Sequence, residues 1–424
     1  MTHYITMHIL FLSHYFPPEV NAPASRGYEH CKQWVKAGHR VTVVSCAPNH
    51  PRGVVYDGYR NRLFQRETRD GVEVVRVWTY VTANEGFLKR TLNYVSFMVS
   101  AILVAVFLDC PDVLLTTSPQ FFNGLAGYPV SRLKRVPWAL EIRDLWPESI
   151  LTVGAIRNKT IIRLLEWLEM FAYRKANRIV ALTDAFKHYM VGKGIPAEKI
   201  DVIKNGVDLS FFKSDVAVTE AKQRFGVEKK FVASYVGTHG MAHHLETILE
   251  AADQLRHRTD IVFLMAGDGA ERKRLETMRE QMGLGNVIML GQLPKDTMPA
   301  LWAATDVSLV LLKKSPLFKM VIPSKIFESM AMEKPIVIGV DGEAREIVEA
   351  GCAGLFIEPE DSAALAETVA RLADNRYECR SFGTNGRAYV AQNFDRTVLA
   401  KRYEEVLRKM SWPATAMHAK NSQE

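Results

Sequence analysis

The chain has 424 residues, 48% hydrophobic and 24% charged, which is enough for two ordinary hydrophobic cores and unlike a disordered or fibrous protein. Its formal net charge of +7 suits anionic partners such as phosphate esters or anionic lipids, although soluble enzymes often share that balance. No long Lys/Arg run and no RNA-type aromatic motif accompanies the charge, so a nucleic-acid partner is not expected.

Cysteine usage indicates a reducing compartment. The five cysteines form an odd set without a close pair, which excludes a complete disulfide framework and any C-x-x-C metal or redox motif. The first residues lack the basic stretch and apolar run of a signal peptide. A cytoplasmic protein is therefore predicted.

The sequence alternates between short β-branched runs and helical patterns, which is typical of βαβ units and a parallel sheet. The strands predicted in the first half are His8–His14, Val41–Cys46, Val74–Trp78, Val113–Thr117, Trp138–Ile142, Ile179–Leu182 and Val202–Lys204. The helices predicted among them are Ser25–Ala37, Thr91–Leu108, Thr160–Ala176 and Ala185–Gly192.

One apolar stretch, Leu92–Leu108, falls short of the roughly 20 residues of a membrane-spanning helix. A buried helix is the default interpretation. The preceding residues 87–90 combine two apolar and two basic side chains, which leaves peripheral contact with an anionic membrane surface as an open alternative.

A second α/β series follows, with a helix expected between successive strands. Its predicted strands are Phe231–Val236, Ile261–Met265, Val287–Leu290, Val307–Leu311, Ile336–Ile338 and Leu355–Ile357, followed by helices at Asp361–Ala373 and Asp395–Lys409. The predicted class is α/β, with two Rossmann-like, doubly wound parallel-sheet domains facing a central cleft. The predicted boundaries are an acceptor domain at 1–205, a linker at 206–220, a donor domain at 221–394, and a last helix with a frayed tail at 395–424 that could pack back on the first domain.

The strongest chemical motif begins at Ile322-Pro323 and continues into a predicted helix. The free N–H groups of a helix start attract a diphosphate, Lys325 adds a positive charge, and Glu328 can accept hydrogen bonds from ribose hydroxyls. Ser324 lies four residues before Glu328, on the same helix face. The alternative is an ordinary helix start with a surface glutamate.

Three further strand exits in the second half carry polar or glycine-rich turns, where backbone amides can close on phosphate oxygens. The donor-site candidates there are Gly237, Thr238, Gly240, His244, Gly267, Asp268, Gln292 and Leu293, and His239 is a catalytic candidate. Each turn by itself could be a plain βα connection. The sequence has no complete G-x-x-x-x-G-K-[ST] loop and no G-x-G-x-x-G after its first strand, which disfavours a P-loop NTPase and an NAD dehydrogenase.

Two loops of the first half should reach the cleft. Arg143 and Asp144 follow the strand Trp138–Ile142, so Arg143 could hold a phosphate and Asp144 could bind sugar hydroxyls. A buried Arg–Asp pair that fixes a turn is the alternative. The loop after the first strand supplies the acceptor-site candidates, for which a rigid surface loop is the alternative: His14, Glu19, Ser25 and Arg26.

Seven blocks along the chain resemble glycosyltransferase family 4, whose members are retaining enzymes of the GT-B fold. In order they read HYFPPEVNAPASR, EIRDLWPES, NGVD, YVGTHG, AGDG, LGQLP and PSKIFESMAMEKPIV. The likeness extends over essentially the whole chain. It is greatest to bacterial enzymes of O-antigen, colanic acid or capsule synthesis, including fucosamine-type transferases.

The resemblance implies transfer of a sugar from a nucleotide diphosphate donor, with UDP favoured, to a lipid-linked sugar acceptor, with retention of configuration. It places catalysis around Asp144, Arg143, His239 and Lys325. The chain contains no Asp-x-Asp, so catalysis is expected to need neither metal nor cofactor, and the helix dipole and basic groups would stabilise the leaving diphosphate. The enzyme is expected in the cytoplasm, with a peripheral position on the inner face of the cytoplasmic membrane as an open alternative.

Two departures from the family pattern keep other functions open. The family often has a second glutamate eight positions before Glu328, where this chain has Met320. At His243 and His244 many relatives have Lys or Arg, and imidazole carries less charge at pH 7. The alternatives are a nucleotide-sugar 2-epimerase of the same shape and a non-catalytic nucleotide-sugar-binding subunit.

Overall fold

The computed structural model describes residues 6–19, 21–50, 52–82, 87–118, 120–148, 158–213 and 215–411. The chain divides into two compact units. The first consists of Met1–Lys204 together with Thr397–Glu424, and the second of Asn205–Arg396.

The first unit is built on an eight-stranded sheet in the order β3-β4-β2-β1-β5-β6-β7-β8. Its strands are β1 His8–Leu12, β2 Arg40–Cys46, β3 Phe64–Arg69, β4 Val72–Val77, β5 Val113–Thr117, β6 Trp138–Ile142, β7 Arg178–Ala181 and β8 Ile200–Val202. The strand pairs are parallel except β3 with β4. The helices of this unit are α1 Ala22–Lys36, α2 Phe87–Phe107, α3 Phe121–Lys134, α4 Lys159–Lys175, α5 Asp184–Gly192 and α14 Arg396–Ser411, the last beginning one residue before the unit does.

Central strands of this sheet are apolar along their length because helices cover both faces, as parallel sheets require. All five residues of β5 are buried. On one face the core includes Ile9 of β1 together with Leu399 and Leu407 of α14. The indole Nε1 of Trp34 donates to the Ala400 carbonyl at 3.1 Å, which also ties α14 to α1. Helix α14 is thus part of the first unit's core.

The second unit contains a six-stranded parallel sheet in the order β11-β10-β9-β12-β13-β14. Its strands are β9 Phe231–Val236, β10 Ile261–Ala266, β11 Val287–Gly291, β12 Val307–Leu311, β13 Ile336–Gly339 and β14 Gly354–Phe356. Its helices are α6 Val218–Arg224, α7 Glu246–Gln254, α8 Arg272–Met282, α9 Met298–Ala304, α10 Lys325–Ala331, α11 Glu343–Ala350, α12 Ser362–Asp374 and α13 Arg376–Asn393.

Residues 206–220, predicted as a linker, have the contacts of a folded segment. Val207 and Phe212 are buried in the core of the second unit. The Val207 amide donates to the Phe394 carbonyl at 3.0 Å, and α6 begins at Val218. The described residues of this segment thus pack into the second unit, and the boundaries of the linker stay a prediction.

Four elements of the described chain were missed in the sequence: α6, which begins inside the predicted linker, and three others, each for a physical reason. Strand β3 is a polar, antiparallel edge strand, so it lacks the apolar run of its neighbours. Helix α3 contains two glycines and a proline, which normally lower helix propensity. Helix α13 has few buried side chains along its length, so its periodicity is weak.

The apolar helix α2 is longer than its predicted core. Its segment Leu88–Phe107 has 20 residues with a mean hydropathy of 1.6, long and apolar enough to cross a membrane by length and composition alone. Of the most apolar window, 28% is buried inside the protein. The sequence estimate of its length was therefore wrong, and much of the helix surface is exposed rather than buried.

Candidate active site

Three turns at one edge of the second unit are connected through their backbones. The carboxyl ends of β9, β10 and β11 lie side by side because these strands are parallel neighbours. The amide of Gly237 donates to the Ala266 carbonyl at 2.9 Å, and that of Gly267 donates to the Gly291 carbonyl at 2.8 Å. The sequence candidates in these turns therefore form one continuous layer.

Close backbone approach explains the glycine after β10. Gly267 has a φ of 147°, and a Cβ there would lie 1.7 Å from the carbonyl oxygen of Gly237. No side chain can be accommodated at that distance. The layer depends on this glycine, which allows the turn after β10 to pack against the turn after β9.

The ammonium group of Lys325 lies beneath the first of these turns. A Cβ on Gly237 would come within 2.9 Å of the Lys325 Nζ, which sits 3.6 Å from the centre of the Tyr235 ring. This nitrogen is buried and has no hydrogen-bond partner among the described residues. Burial lowers the pKa of Lys325 to about 7, against the opposing effect of Glu328. The site thus holds a cation without a hydrogen-bonding counterion.

Tyr235 contacts both the turn after β9 and the Lys325 side chain. It is fully buried at the end of β9, and its hydroxyl donates to the Thr238 carbonyl at 2.8 Å. Its ring contacts the ammonium group of Lys325 as a cation–π partner. Sequence reasoning missed Tyr235, because nothing in a buried strand residue signals which side chain its ring will meet.

The imidazoles of His239 and His243 are neutral at pH 7. His239 is fully buried, and both of its ring nitrogens lack hydrogen-bond partners among the described residues. Burial, then the charges of Arg272 and Lys325, lower its pKa to about 4. The His243 Nδ1 donates to the Leu311 carbonyl, 3.3 Å away, and burial lowers the pKa of His243 to about 3. These rings can offer hydrogen bonds and no charge.

Two further donor-site candidates, Ser324 and Glu328, lie at the start of α10. Burial raises the pKa of Glu328, and the Trp302 Nε1 donates to the Glu328 Oε2 at 3.2 Å. Ser324 accepts from the Asn205 Nδ2 at 3.4 Å. Trp302 and Asn205 were missed as supporting residues, since they are distant in sequence from the motif that they hold.

The remaining donor candidates differ in how they are placed. Asp268 accepts from the Gly269 amide at 2.8 Å, so its carboxylate shapes the turn after β10. His244 has a positive φ of 46° and its Nδ1 lies 2.9 Å from the Thr247 hydroxyl, which engages the ring within its own turn. Gln292 is exposed and Leu293 half-buried, immediately after β11. Gly240 lies in the turn after β9 with Thr238.

Arg26 of the first unit has a different place from the one predicted. It is buried in α1, where its Nε donates to the Glu141 Oε1 at 2.8 Å. Its two terminal nitrogens donate to the carbonyls of Ile203 and Lys204 at 2.8 Å each. The pKa of Glu141 is lowered: burial acts to raise it, and the nearby Arg26 and Arg143 outweigh that effect. Arg26 therefore holds the unit together rather than facing an acceptor.

The other acceptor candidates are also largely internal. Glu19 is buried and accepts at 2.9 Å from the amides of Asn49 and His50, while desolvation raises its pKa. His14 is buried against the ring of Phe97, and burial lowers its pKa to about 3. Ser25 is half-buried on α1.

Arg143 and Asp144 follow β6 as predicted. The Arg143 amide donates to the Ser118 hydroxyl at 2.7 Å, and its guanidinium lies 3.4 Å from the Pro23 carbonyl. Burial lowers the pKa of Arg143 to about 10, so it stays charged at pH 7. Asp144 is half-buried and lines a small pocket in the first unit.

The fold and the glycine-turn layer are those of a sugar-transferring enzyme with two parallel-sheet domains. The profile "Glycosyl transferases group 1" matches residues 218–389, and "Glycosyl transferase 4-like domain" matches residues 23–206. Together the two matches cover most of the chain, which belongs to the glycosyltransferases that these profiles define. The predicted class, fold and enzyme type are confirmed.

Individual relatives agree with that assignment. The chain is 27% identical over 350 residues to the colanic acid biosynthesis glycosyl transferase WcaI of Escherichia coli, covering 80% of this chain and 85% of the relative. It is 26% identical to the glycosyltransferase WbjE of Pseudomonas aeruginosa, over 70% of this chain and 75% of the relative. The crystal structure of Anabaena HepE with UDP and glucose has the same fold, with a TM-score of 0.72 at 20% identity, covering 95% of this chain and 99% of HepE.

Proposed function

We propose that the protein transfers a sugar, with retention, from a UDP-sugar to a lipid-linked saccharide during bacterial surface polysaccharide synthesis. WcaI supports the pathway because its name places it in colanic acid biosynthesis, and HepE supports the nucleotide because its structure holds UDP. The observation that carries the proposal is the buried, unpartnered ammonium group of Lys325 beneath the glycine turn. A diphosphate is the ligand that such a cation would take.

The donor would bind the second unit. The backbone amides of Thr238 and Gly240 would receive the phosphates, with Lys325 as the cation and the His239 ring as a neutral hydrogen-bonding group. Glu328, fixed by Trp302, would accept from the ribose hydroxyls. The polar turn at Gln292 and Leu293 would contact the base.

Catalysis would consist mainly of electrostatic stabilisation of the departing UDP. As the bond between the anomeric carbon and the phosphate oxygen breaks, negative charge grows on the diphosphate, and a preplaced ammonium stabilises it. The acceptor hydroxyl forms the new bond on the same face and gives its proton to the leaving phosphate. No separate carboxylate pair is needed, and metal independence stays a prediction.

An anionic membrane surface is the proposed location of the acceptor. Helix α2 exposes Leu92, Leu103 and Phe107, the last with 87% of its surface accessible. Helix α3 packs between α2 and α4, and α4 exposes Leu164 and Trp167. Exposed apolar side chains of this kind, with basic residues nearby, favour a lipid interface. The enzyme would then work at the cytoplasmic face of the membrane.

The first test is thermal unfolding of purified protein with UDP, GDP, ADP and dTDP, with and without Mg²⁺. We expect UDP alone to stabilise, by about 2.7 kcal/mol at a hundredfold excess over its Kd, equally with and without metal. The Glu328→Ala variant should lose most of this effect. Stabilisation by a different nucleotide would contradict the proposed donor.

The second test is transfer from UDP-sugars to decyl diphosphate-linked N-acetylglucosamine, followed by mass spectrometry and NMR of the product. An α-linked disaccharide from an α-linked donor is expected. Release of an epimerised free sugar nucleotide would show the rival 2-epimerase activity. UDP binding without hydrolysis or transfer to any acceptor would instead show a non-catalytic subunit.

A further inference from the structure

The side chain of Tyr235 lies at the centre of the candidate donor site. Tyr235 is the fifth residue of β9 and is fully buried. The Lys325 ammonium lies over its ring, 3.6 Å from the ring centre. The imidazoles of His239 and His243 contact the same ring, each with its centroid 5.9 Å away. One ammonium group and two imidazoles, from two parts of the chain, therefore share one aromatic neighbour.

The ring offers Lys325 an attraction in place of hydrogen bonds. The Lys325 Nζ is buried and has no hydrogen-bond partner among the described residues. The face of an aromatic ring is negative, and it attracts an ammonium most strongly where water is excluded. Gly237 leaves room for this contact, since a Cβ there would lie 2.9 Å from the Nζ and 3.2 Å from the Cε of Lys325. The ammonium group is thus packed against both the ring and the glycine turn.

The hydroxyl of Tyr235 connects the ring to the turn after β9. It donates to the Thr238 carbonyl at 2.8 Å, and Thr238 directly follows Gly237. A tyrosine side chain has only two rotatable bonds before its ring, so it costs little entropy to hold in place. The turn and the ammonium group are therefore fixed relative to each other by one rigid side chain. Charge that is placed in advance needs no reorganisation when an anion arrives or forms.

We propose that Tyr235 is a positioning residue of the donor site, whose ring holds the Lys325 ammonium and whose hydroxyl holds the turn after β9 in the arrangement that a diphosphate requires. The inference rests on the proposed function and deepens it, because it names what keeps the phosphate-binding groups in place before the nucleotide binds. Tyr235 itself contacts no phosphate in this proposal.

The charged and titratable groups around Lys325 define what the ring contributes. Burial lowers the pKa of Lys325, and Glu328 on the same helix opposes that effect. His239 and His243, from the turn after β9, are neutral at pH 7, and burial raises the pKa of the Tyr235 phenol, which stays protonated. On the β9 side, the ring face is therefore the group that favours the charged ammonium. The charged groups farther out are Arg272, Asp268 and Glu276, which act on His239, and Lys295, which acts on Glu328.

The first experiment measures the ionisation of Lys325 without any nucleotide. Protein labelled with carbon-13 at the lysine Cε is titrated by NMR, and the Lys325 signal is assigned from its absence in Lys325→Arg. Tyr235→Phe keeps the ring, so the pKa of Lys325 should stay near its wild-type value. Trifluoro- and pentafluorophenylalanine at position 235 keep the ring shape and remove the negative charge of its face. The pentafluorinated ring should lower the pKa of Lys325 by about one pH unit, and the trifluorinated ring by less.

The second experiment measures UDP affinity by isothermal titration and separates the two contacts of Tyr235. Tyr235→Phe loses the hydrogen bond to Thr238, so UDP affinity should fall by about fivefold at every pH. The pentafluorinated protein should bind UDP about tenfold more weakly than Tyr235→Phe at pH 8 and about twofold more weakly at pH 6. The difference between the two pH values arises because a lysine with a lower pKa must take up a proton when the diphosphate binds.

Phe263→Leu is the matched control for loss of a ring from the same core. Phe263 is a fully buried residue of the neighbouring strand β10 and belongs to the same core cluster as Tyr235. Tyr235→Leu should lower the pKa of Lys325 and weaken UDP binding, whereas Phe263→Leu should leave both unchanged even where it lowers the free energy of unfolding. If Tyr235→Leu does not fold, the fluorinated series tests the same contact with a ring in place.

Three outcomes would overturn the assignment. The pKa of Lys325 could be the same with phenylalanine and pentafluorophenylalanine at position 235, UDP affinity could be unchanged in Tyr235→Phe, or Tyr235→Leu and Phe263→Leu could weaken UDP binding equally. Failure of the proposed function looks different. UDP would then not bind the wild-type protein at any pH, although the NMR titration would still show the effect of the ring on Lys325.

Discussion

Two buried basic side chains, Arg26 of the first unit and Lys325 of the second, differ in whether they are hydrogen-bonded. In the first unit Arg26 meets Glu141 and two carbonyls, and Glu19 meets two backbone amides. In the second unit the Lys325 ammonium and both nitrogens of His239 are buried without hydrogen-bond partners among the described residues. A buried unsatisfied polar group costs roughly 1–3 kcal/mol, so the second unit keeps a deficit that a ligand could remove. Similar residue types thus serve the fold in one unit and a site in the other.

Removing the buried cation of the first unit should give the largest effect on stability. Arg26→Met leaves Glu141 in a site that excludes water, which should lower the free energy of unfolding by about 3–5 kcal/mol. Urea unfolding measures it. The Kd for UDP should change by less than about twofold, because the donor residues lie in the second unit.

A double variant sharpens this result. Arg26→Met with Glu141→Gln also removes the carboxylate that has lost its hydrogen-bonded cation, so it should be more stable than Arg26→Met alone. The opposite result would be an Arg26→Met variant that unfolds at the same urea concentration as the wild type but no longer transfers sugar to the acceptor. Arg26 would then contact the acceptor, and its structural role in the first unit would be contradicted.

In the second unit, a substitution can disrupt the contact between the turns after β9 and β10. Gly267→Ala puts a methyl group 1.7 Å from the Gly237 carbonyl oxygen at a φ of 147°, which should cost about 3 kcal/mol and abolish UDP-induced stabilisation. Gly285→Ala is the matched control, since its Cβ would have no neighbour within 4 Å. Normal UDP binding by Gly267→Ala would place the nucleotide elsewhere.

The cation should matter for binding more than for folding. Lys325→Met keeps much of the side-chain volume and removes the charge, so UDP affinity should fall about 10- to 100-fold by isothermal titration. The free energy of unfolding should not fall in Lys325→Met, because the substitution removes a buried ammonium group that has no hydrogen bond. Lys319→Met is the control, as Lys319 is exposed and paired with Asp341 at 2.6 Å. Equal effects of both variants would show only nonspecific attraction of an anion.

The fold was largely predictable because the central strands are continuous apolar runs. Val113–Thr117, Trp138–Ile142, Phe231–Val236 and Val307–Leu311 were each placed with the bounds that the structure has. The polar edge strand β3 and the glycine-containing helix α3 depend on neighbours distant in sequence, so local patterns could not reveal them.

The site residues, like the fold, were predictable where the signal is local in sequence and not where it depends on distant residues. Glycine turns that follow strands are visible in sequence, which is why Gly237 and Gly267 were singled out. The partners of the charged residues are not visible in the sequence. They are the Tyr235 ring that contacts Lys325, the Trp302 indole that donates to Glu328, and the Glu141 carboxylate that pairs with Arg26. Arg26 and Lys325 are both basic residues near helix starts, and only three-dimensional packing shows that one is neutralised.

The smallest predicted effect is a pH dependence confined to the second unit. The diphosphate favours the protonated ammonium, and burial lowers the pKa of Lys325 in the free protein to about 7. UDP affinity should therefore be constant below that pH and fall as pH rises above it, by at most about tenfold per unit. His239 and His243, with pKa values of about 4 and 3, stay neutral across pH 7–9 and add no slope.

Titration calorimetry at pH 7, 8 and 9, in buffers that differ in ionisation enthalpy, measures both the affinity and the proton taken up on binding. Lys325→Arg should flatten the profile, because a guanidinium keeps its charge throughout this range. A flat wild-type profile without proton uptake would mean that Lys325 is already fully charged when the site is empty. The ammonium would then need a counterion in the free protein, and the contrast between a neutralised first unit and an unneutralised second one would have to be abandoned.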